Sequence, residues 1–122
     1  MKVGESAEVT RRFSPEDVAA YGALGGAPTV SDELPEPLVC ALFSYLLGVK
    51  LPGVGTNYLK QECDYLASAH VEDALTARVE ITRLRPDKNL VDLATTCRNA
   101  AGDLLCSGRA LVYVGDVDAR PS

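Results

Sequence analysis

The chain has 122 residues, 47% of them hydrophobic, and a formal net charge of −5 at pH 7. This length suits one domain with a buried core, so a single domain is predicted over residues 1–122. The negative charge argues against nucleic acid or an anionic membrane surface as a partner. No basic and apolar leader opens the chain, and its longest apolar run is shorter than the ~20 residues of a membrane span. We therefore expect a cytoplasmic protein.

The first predicted elements are a strand and a short helix. The strand is expected over Val3–Phe13. Ser14 can cap the free backbone amides of a helix, and Pro15 suits the first helical position. Apolar residues then recur at helical spacing over Val18–Leu24, and Gly25–Gly26 can end the helix.

A proline-rich connection and a strongly apolar segment follow. Ala27–Pro37 contains three prolines among small and acidic residues, which predicts an irregular connection of the kind that often borders a site. Leu38–Gly48 is apolar almost all round, which predicts a helix enclosed by other structure. The segment Leu51–Gly55 should end this helix. A helix of this kind needs a sheet to cover it.

Alternation of apolar and more polar residues predicts that sheet. The alternation runs through three segments of the second half, Leu75–Ile81, Val91–Cys97 and Leu104–Val114. An earlier strand is expected over Asn57–Leu66, and turns are predicted at Pro86–Asn89 and Asn99–Asp103. Long antiparallel strands after one apolar helix indicate an α+β fold.

The cysteines do not indicate a metal site. Cys40, Cys63, Cys97 and Cys106 lack the close pairing typical of zinc ligands and lie in apolar or alternating segments. We expect four buried thiols in a reducing compartment.

Three segments carry a resemblance to a known family. Ala41–Gln61 resembles the central helix and following strand of the MaoC-like (R)-specific enoyl-CoA hydratases, and its turn Leu51–Thr56 is the most specific feature. Arg83–Val112 is similar to the terminal hairpins of that family, and Val3–Gly26 to its first strand and helix. The resemblance implies a hotdog fold, in which an antiparallel sheet wraps around a central apolar helix. It implies no cofactor.

Family members carry an Asp, an Asn-Pro and a His on the loop after the first helix, and this chain departs from that pattern. In such enzymes the Asp and His move the proton and water that cross the double bond of an enoyl thioester. Here Gly25 or Gly26 stands for the Asp, Ala27 for the Asn and Val30 for the His, while Pro28 matches the Pro. The catalytic pair therefore cannot be placed on any residue of this chain.

The start of the central helix also departs from the family. Pro35 and Glu36 stand where the family has a His-Gly pair, and Pro37 has no amide hydrogen to offer a thioester oxygen. Glu36 is a candidate general base or nucleophile, or an exposed acid favoured by the helix dipole. Asp32 and Glu33 could replace the missing acid or base if their loop covers the pocket, or they are ordinary loop acids.

Other polar residues are candidates for binding a thioester. Cys40 lies near the start of the central helix, where the dipole favours a thiolate, but it could also be a small packed residue. Four further candidates could line a pocket or face water, namely Ser44, Asn57, Tyr58 and Gln61. The single histidine, His70, is expected at the surface or in a turn, far from the acyl site.

Three functions remain open from the sequence. The first is a hydratase or dehydratase of acyl-CoA or acyl-carrier-protein thioesters with a remodelled acid and base. The second is a hotdog thioesterase that uses Glu36 or Asp32. The third is a non-catalytic, acyl-binding subunit that pairs with a hotdog partner carrying the Asp and His. A homodimer or heterodimer is expected in each case, because hotdog pockets resemble clefts completed by a second subunit.

Overall fold

The computed structural model describes residues 1–25 and 32–117. The strands are β1 (Ser6–Arg11), β2 (Asn57–Tyr65), β3 (Leu75–Arg85), β4 (Leu90–Arg98) and β5 (Leu104–Tyr113). The helices are α1 (Pro15–Ala23) and α2 (Glu36–Tyr45), and α2 continues into a π-helical turn at Leu46–Lys50.

The strands form one antiparallel sheet in the order β1-β3-β4-β5-β2. β3, β4 and β5 pair in chain order and so form a meander. The two turns between them lie at the positions predicted from the sequence. Asn89 in the first turn has a φ angle of +56°, and Gly102 in the second has +89°. Asn and Gly adopt this left-handed conformation more easily than other residues, which explains how the chain reverses at these two points.

The start of α1 is also confirmed. The backbone N–H of Asp17 donates to the Ser14 hydroxyl at 3.1 Å, and the N–H of Ser14 donates to the Asp17 carboxylate at 2.8 Å. This reciprocal pair satisfies two backbone donors at the helix end. β1 is shorter than predicted, because the chain leaves the sheet after Arg11 and turns Phe13 into the core.

α2 begins at Glu36, two residues before the predicted start at Leu38. Pro37 lies in the first turn, where its missing N–H breaks no helical bond. The expectation that this helix would be enclosed all round is wrong for the single chain. One side is buried, but Tyr45 is 45% exposed and Ala41 and Ser44 are also exposed, because one sheet covers only one side of a helix.

The core lies between α2 and one face of the sheet. Its largest fully buried side chains come from α2, its π-helical turn and the three central strands, among them Phe43, Leu46, Leu47, Leu75, Ile81, Leu93 and Val112. This packing fixes α2 against the strands.

Gly108 lets β2 and β5 approach closely. It lies opposite Cys63 in the β2–β5 register. A Cβ atom at position 108 would collide with the carbonyl of Glu62, so this position requires glycine. The close approach holds β2 beside the rest of the sheet, with its side chains near α2.

Candidate functional site

A groove of about 590 Å³ lies at the start of α2. Its walls come from the residues that lead into α2, from the segment after β2, and from the first residues of β5. Tyr21 of α1 closes one side, and Glu36, Tyr65 and Cys106 contribute polar or sulfur atoms. Of the candidate residues named from the sequence, Glu33 and Glu36 line this groove.

Backbone pairing positions the connection that leads into α2. The N–H of Leu34 donates to the carbonyl of Ala69 at 2.8 Å, and the N–H of Val71 donates to the carbonyl of Asp32 at 2.8 Å. Glu33 and His70 face each other as an antiparallel bridge between these bonds. The connection is thus held against the segment that follows β2, and the two together form one wall of the groove.

His70 consequently lies beside this wall, closer to the groove than the sequence suggested. It is not among the residues that line the groove. Its Nδ1 atom lies 3.8 Å from the Asp73 carboxylate, and both side chains are more than two-fifths exposed. The pair is a partly exposed contact at the rim.

Glu36 is one of the two carboxylates that line the groove, the other being that of Glu33. Glu36 is the first residue of α2, it is exposed, and it lines the cavity. The positive end of the helix dipole favours a negative charge at this position. Backbone donors are scarce here, because Pro37 has no N–H and the N–H of Leu38 already donates to Pro35 at 3.0 Å. A ligand in the groove must find most of its donors on side chains.

Tyr65 supplies such a donor, and the sequence reasoning missed it. Its hydroxyl forms a hydrogen bond with the Cys40 thiol and lies 3.4 Å from the Glu36 carbonyl, to which it can donate. Burial raises the pKa of the Tyr65 phenol, as does its bond with Cys40, so the O–H keeps its proton at neutral pH. The sequence does contain a signal for Tyr65. Every second residue of a strand lies on the same face, so Gln61, Cys63 and Tyr65 share one face of β2.

The four cysteines are free thiols, but only two of them are buried as expected. Cys97 and Cys106 are buried, and burial raises the pKa of their thiols to about 11 and about 12. Cys40 and Cys63 are half-buried, and their sulfur atoms lie 3.5 Å apart. The prediction of four buried thiols is therefore wrong for this pair, because β2 is an edge strand and leaves that side of α2 partly open.

Two predicted residues lie away from the groove. Asp32 is exposed, and its carbonyl is used in the backbone bond to Val71. Ser44 lies on the exposed side of α2. Neither residue is among those that line the groove.

The remaining candidates are spread along β2. Asn57 lies at its first position, paired with Tyr113, and donates to the Asp116 carboxylate at 3.2 Å. The Tyr58 hydroxyl is buried without a hydrogen-bond partner among the described residues, and burial raises its pKa. Gln61 is exposed and donates to the Cys63 sulfur at 3.0 Å. At ~3.3 Å per residue, Asn57 and Tyr65 lie at opposite ends of a nine-residue strand.

Most of the loop that the sequence analysis compared with the family's catalytic loop lies outside the described residues, including Gly26, Ala27, Pro28 and Val30. Within residues 1–25 and 32–117, no group of three or more His, Cys, Asp and Glu side chains is arranged to hold a metal ion. No helix in the same ranges has the length and apolar character needed to cross a membrane.

Known proteins match this chain over nearly its whole length. An (R)-specific enoyl-CoA hydratase from Aeromonas caviae is 36% identical over an alignment that is 126 residues long with its gaps. The alignment covers 92% of this chain and 94% of that relative. The solved (R)-hydratase from A. caviae involved in PHA biosynthesis has a TM-score of 0.85 at 35% identity, covering 93% of this chain and 96% of the other. The unliganded R-hydratase PhaJ1 from Pseudomonas aeruginosa has a TM-score of 0.86 at 27% identity, covering 93% and 81%. No family model matches the chain.

The fold is the hotdog fold, with a five-stranded antiparallel sheet packed on a central helix as in these hydratases. The chain belongs to the MaoC-like family of (R)-specific enoyl-CoA hydratases, because its likeness to the A. caviae enzyme extends over nearly all of both chains. It is thus a homologue of enoyl-thioester hydratases and dehydratases.

Proposed function

We propose that this chain binds acyl-CoA or acyl-carrier-protein thioesters in the groove at the start of α2 and acts on them as a hydratase or dehydratase with a remodelled site. The supporting observation is that Glu36 and Tyr65 both line this groove. One is a carboxylate and the other a phenol that keeps its proton. We propose them as the base and the hydrogen-bond donor, in place of the Asp and His that the family resemblance does not allow us to place on this chain.

In the proposed reaction, the Tyr65 hydroxyl donates to the thioester carbonyl oxygen of a bound enoyl thioester. The Glu36 carboxylate accepts a proton from a water molecule as that water attacks the β carbon. The electrons of the double bond move towards the carbonyl oxygen, where the phenol stabilises the developing enolate. The proton then returns from Glu36 to the α carbon. Dehydration follows the same steps in reverse.

Hydration of crotonyl-CoA tests this proposal directly. We expect loss of the enoyl-thioester absorbance above the buffer rate, and a fall of ~10²-fold or more in Glu36→Gln, because a general base typically contributes 10²–10⁴-fold. Glu16→Gln is the matched control, since this exposed acid in the first turn of α1 lies outside the groove lining and should leave the rate unchanged.

Binding is measured separately, by calorimetry with a non-hydratable acyl-CoA. A wild-type rate equal to that of buffer, for both short and medium enoyl chains, would exclude the hydratase. Wild-type activity retained in Glu36→Gln would remove only Glu36 from the mechanism.

A thioesterase is the second candidate, and the position of Glu36 favours it. This carboxylate lies in the groove at the helix start, where it could activate water or attack a thioester carbonyl. Release of free thiol from a panel of saturated acyl-CoAs, lost in Glu36→Ala, would support this activity. Asp32 is the weaker candidate base, because it lies outside the groove lining.

A second hotdog subunit is the proposed partner, either a copy of this chain or a relative that carries the Asp and His. β2 and β1 are the two edge strands of the sheet. β2 also carries the exposed side chain of Leu59. An unpaired strand edge is a template for pairing with another chain. Sedimentation equilibrium of the purified chain distinguishes a homodimer from a monomer that needs a different subunit.

We also propose that the protein works in the cytoplasm. Its four cysteines are free thiols, and such thiols persist in a reducing compartment.

A further inference from the structure

Two of the cysteines form a contact that the proposed reaction does not use. Cys40 projects from α2 and Cys63 from β2, and their sulfur atoms lie 3.5 Å apart although 23 positions separate them in the chain. A disulfide bond is ~2.05 Å long, so the sulfur atoms need to approach by about 1.5 Å. Rotation of the two side chains covers part of such a distance. The contact therefore joins a helix and a strand at a point that a covalent bond could link.

The surroundings of this pair differ from those of the other two cysteines. Cys40 and Cys63 are both half-buried, whereas Cys97 and Cys106 are fully buried. The Gln61 amide donates to Cys63, and the Tyr65 hydroxyl is hydrogen-bonded to Cys40, where either atom can be the donor. Donors of this kind stabilise a thiolate, which is the reactive form of cysteine. Partial exposure admits a small oxidant.

We propose that Cys40 and Cys63 are a modification site, a dithiol that a peroxide oxidises to an intramolecular disulfide and that a dithiol reductant restores. One thiolate attacks hydrogen peroxide, the O–O bond breaks, and a sulfenic acid and one water form. The second thiol then attacks that sulfur, the S–S bond forms, the S–O bond breaks, and a second water leaves. Two thiols lose two electrons and two protons, and the peroxide is reduced to two waters. This proposal does not rest on the proposed catalytic activity, although Cys40 is hydrogen-bonded to the Tyr65 hydroxyl that the proposed reaction uses.

The rate of oxidation should depend on pH. Burial raises the pKa of the Cys63 thiol, although its hydrogen bond from Gln61 acts in the opposite direction. The thiolate fraction at Cys63 is therefore small at neutral pH and grows as the pH is raised. We expect the disulfide to form faster above neutral pH.

The positions of the basic residues make the site directly testable, because each cysteine lies in a different tryptic peptide. The four peptides are Phe13–Lys50, Gln61–Arg78, Asn89–Arg98 and Asn99–Arg109. The reduced full-length chain is treated with hydrogen peroxide, and free thiols are counted after denaturation. We expect the count to fall from four to two. Digestion without reductant, followed by mass spectrometry, should show the first peptide linked to the second, and dithiothreitol should separate them.

Matched variants and a gel complete the experiment. Cys63→Ser should lose the link, and Cys97→Ser should keep it. The oxidised chain should run as a monomer on a non-reducing denaturing gel. Its melting temperature should rise by several degrees, because the bond closes a loop between residues 23 positions apart.

Three results would overturn the proposal, and the wild-type chain alone can give each of them. The first is a Cys63–Cys106 link in place of the Cys40–Cys63 link. The second is a link between two chains. The third is a native chain that keeps all four thiols under conditions in which the urea-unfolded chain loses them.

Discussion

The meander β3–β5 and the groove at the start of α2 are built in different ways. In the meander, neighbouring residues carry the structure, since alternating apolar side chains form one buried face and short turns join the strands. At the groove, the important atoms come from segments far apart in sequence, as in the approach of Tyr65 to Cys40 and Glu36. A change in the meander should therefore affect folding, whereas a change at the groove should affect chemistry with little loss of stability.

The largest expected effect comes from the buried side of α2. Phe43 is fully buried between the helix and the sheet. We expect Phe43→Ala to lower the free energy of unfolding by ~3–5 kcal/mol, because it removes a large apolar side chain and leaves a cavity. Urea unfolding followed by circular dichroism measures this loss.

Tyr45→Ala is the control on the other side of the same helix, where the side chain is 45% exposed. It should cost less than ~1 kcal/mol, as surface substitutions usually do. If both variants lose the same stability, the outer side of α2 is covered in the native protein, which would contradict the one-sided packing of the single chain.

The meander was predictable because its pattern is local. The alternation over Leu75–Ile81 and Val91–Cys97 predicts strands with one apolar buried face, although Asp92 in β4 is buried as well. The turn residues Asn89 and Gly102 adopt the left-handed conformation, which Gly permits because it has no Cβ atom and which Asn tolerates better than most residues. The same holds for the start of α1, where Ser14 and Asp17 are only three residues apart.

The groove was only partly predictable, because its contacts are tertiary. The position of Glu36 near the start of the central helix follows from the resemblance to the family, but the approach of Tyr65 to Cys40 depends on how β2 packs against α2. That packing depends in turn on Gly108, which looked like an ordinary member of an alternating strand. Likewise, Asn57 and Gln61 were grouped by closeness in sequence, and the strand places Asn57 at the far end from the groove.

Two tyrosines on β2 test the chemistry of the groove. If the Tyr65 hydroxyl binds the thioester oxygen, Tyr65→Phe should lower kcat about tenfold to a hundredfold, equivalent to ~1.4–2.7 kcal/mol, with a smaller change in KM. Tyr58→Phe is the matched control near the other end of the same strand. It removes a buried hydroxyl without a hydrogen-bond partner among the described residues, so it should leave activity unchanged and stability equal or higher. Equal kcat values for the two variants would remove Tyr65 from the mechanism.

The smallest expected effect lies at the start of α1, where Asp17 is outside the groove lining, and it concerns pH. The backbone N–H of Ser14 donates to the Asp17 carboxylate, and this bond holds the pKa of Asp17 below its ordinary value of 3.8. Because the folded state lowers this pKa, the carboxylate contributes stability that is fully present above pH 3.8 and is lost as the pH falls through the lower, folded value.

Asp17→Asn should therefore flatten the acid limb of the curve of unfolding free energy against pH. Ser14→Ala removes the capping hydroxyl but keeps the backbone N–H, so it should lower stability at every pH while retaining most of the slope. A slope that disappears in Ser14→Ala would show that the hydroxyl, and not the backbone bond, is the main partner of this carboxylate.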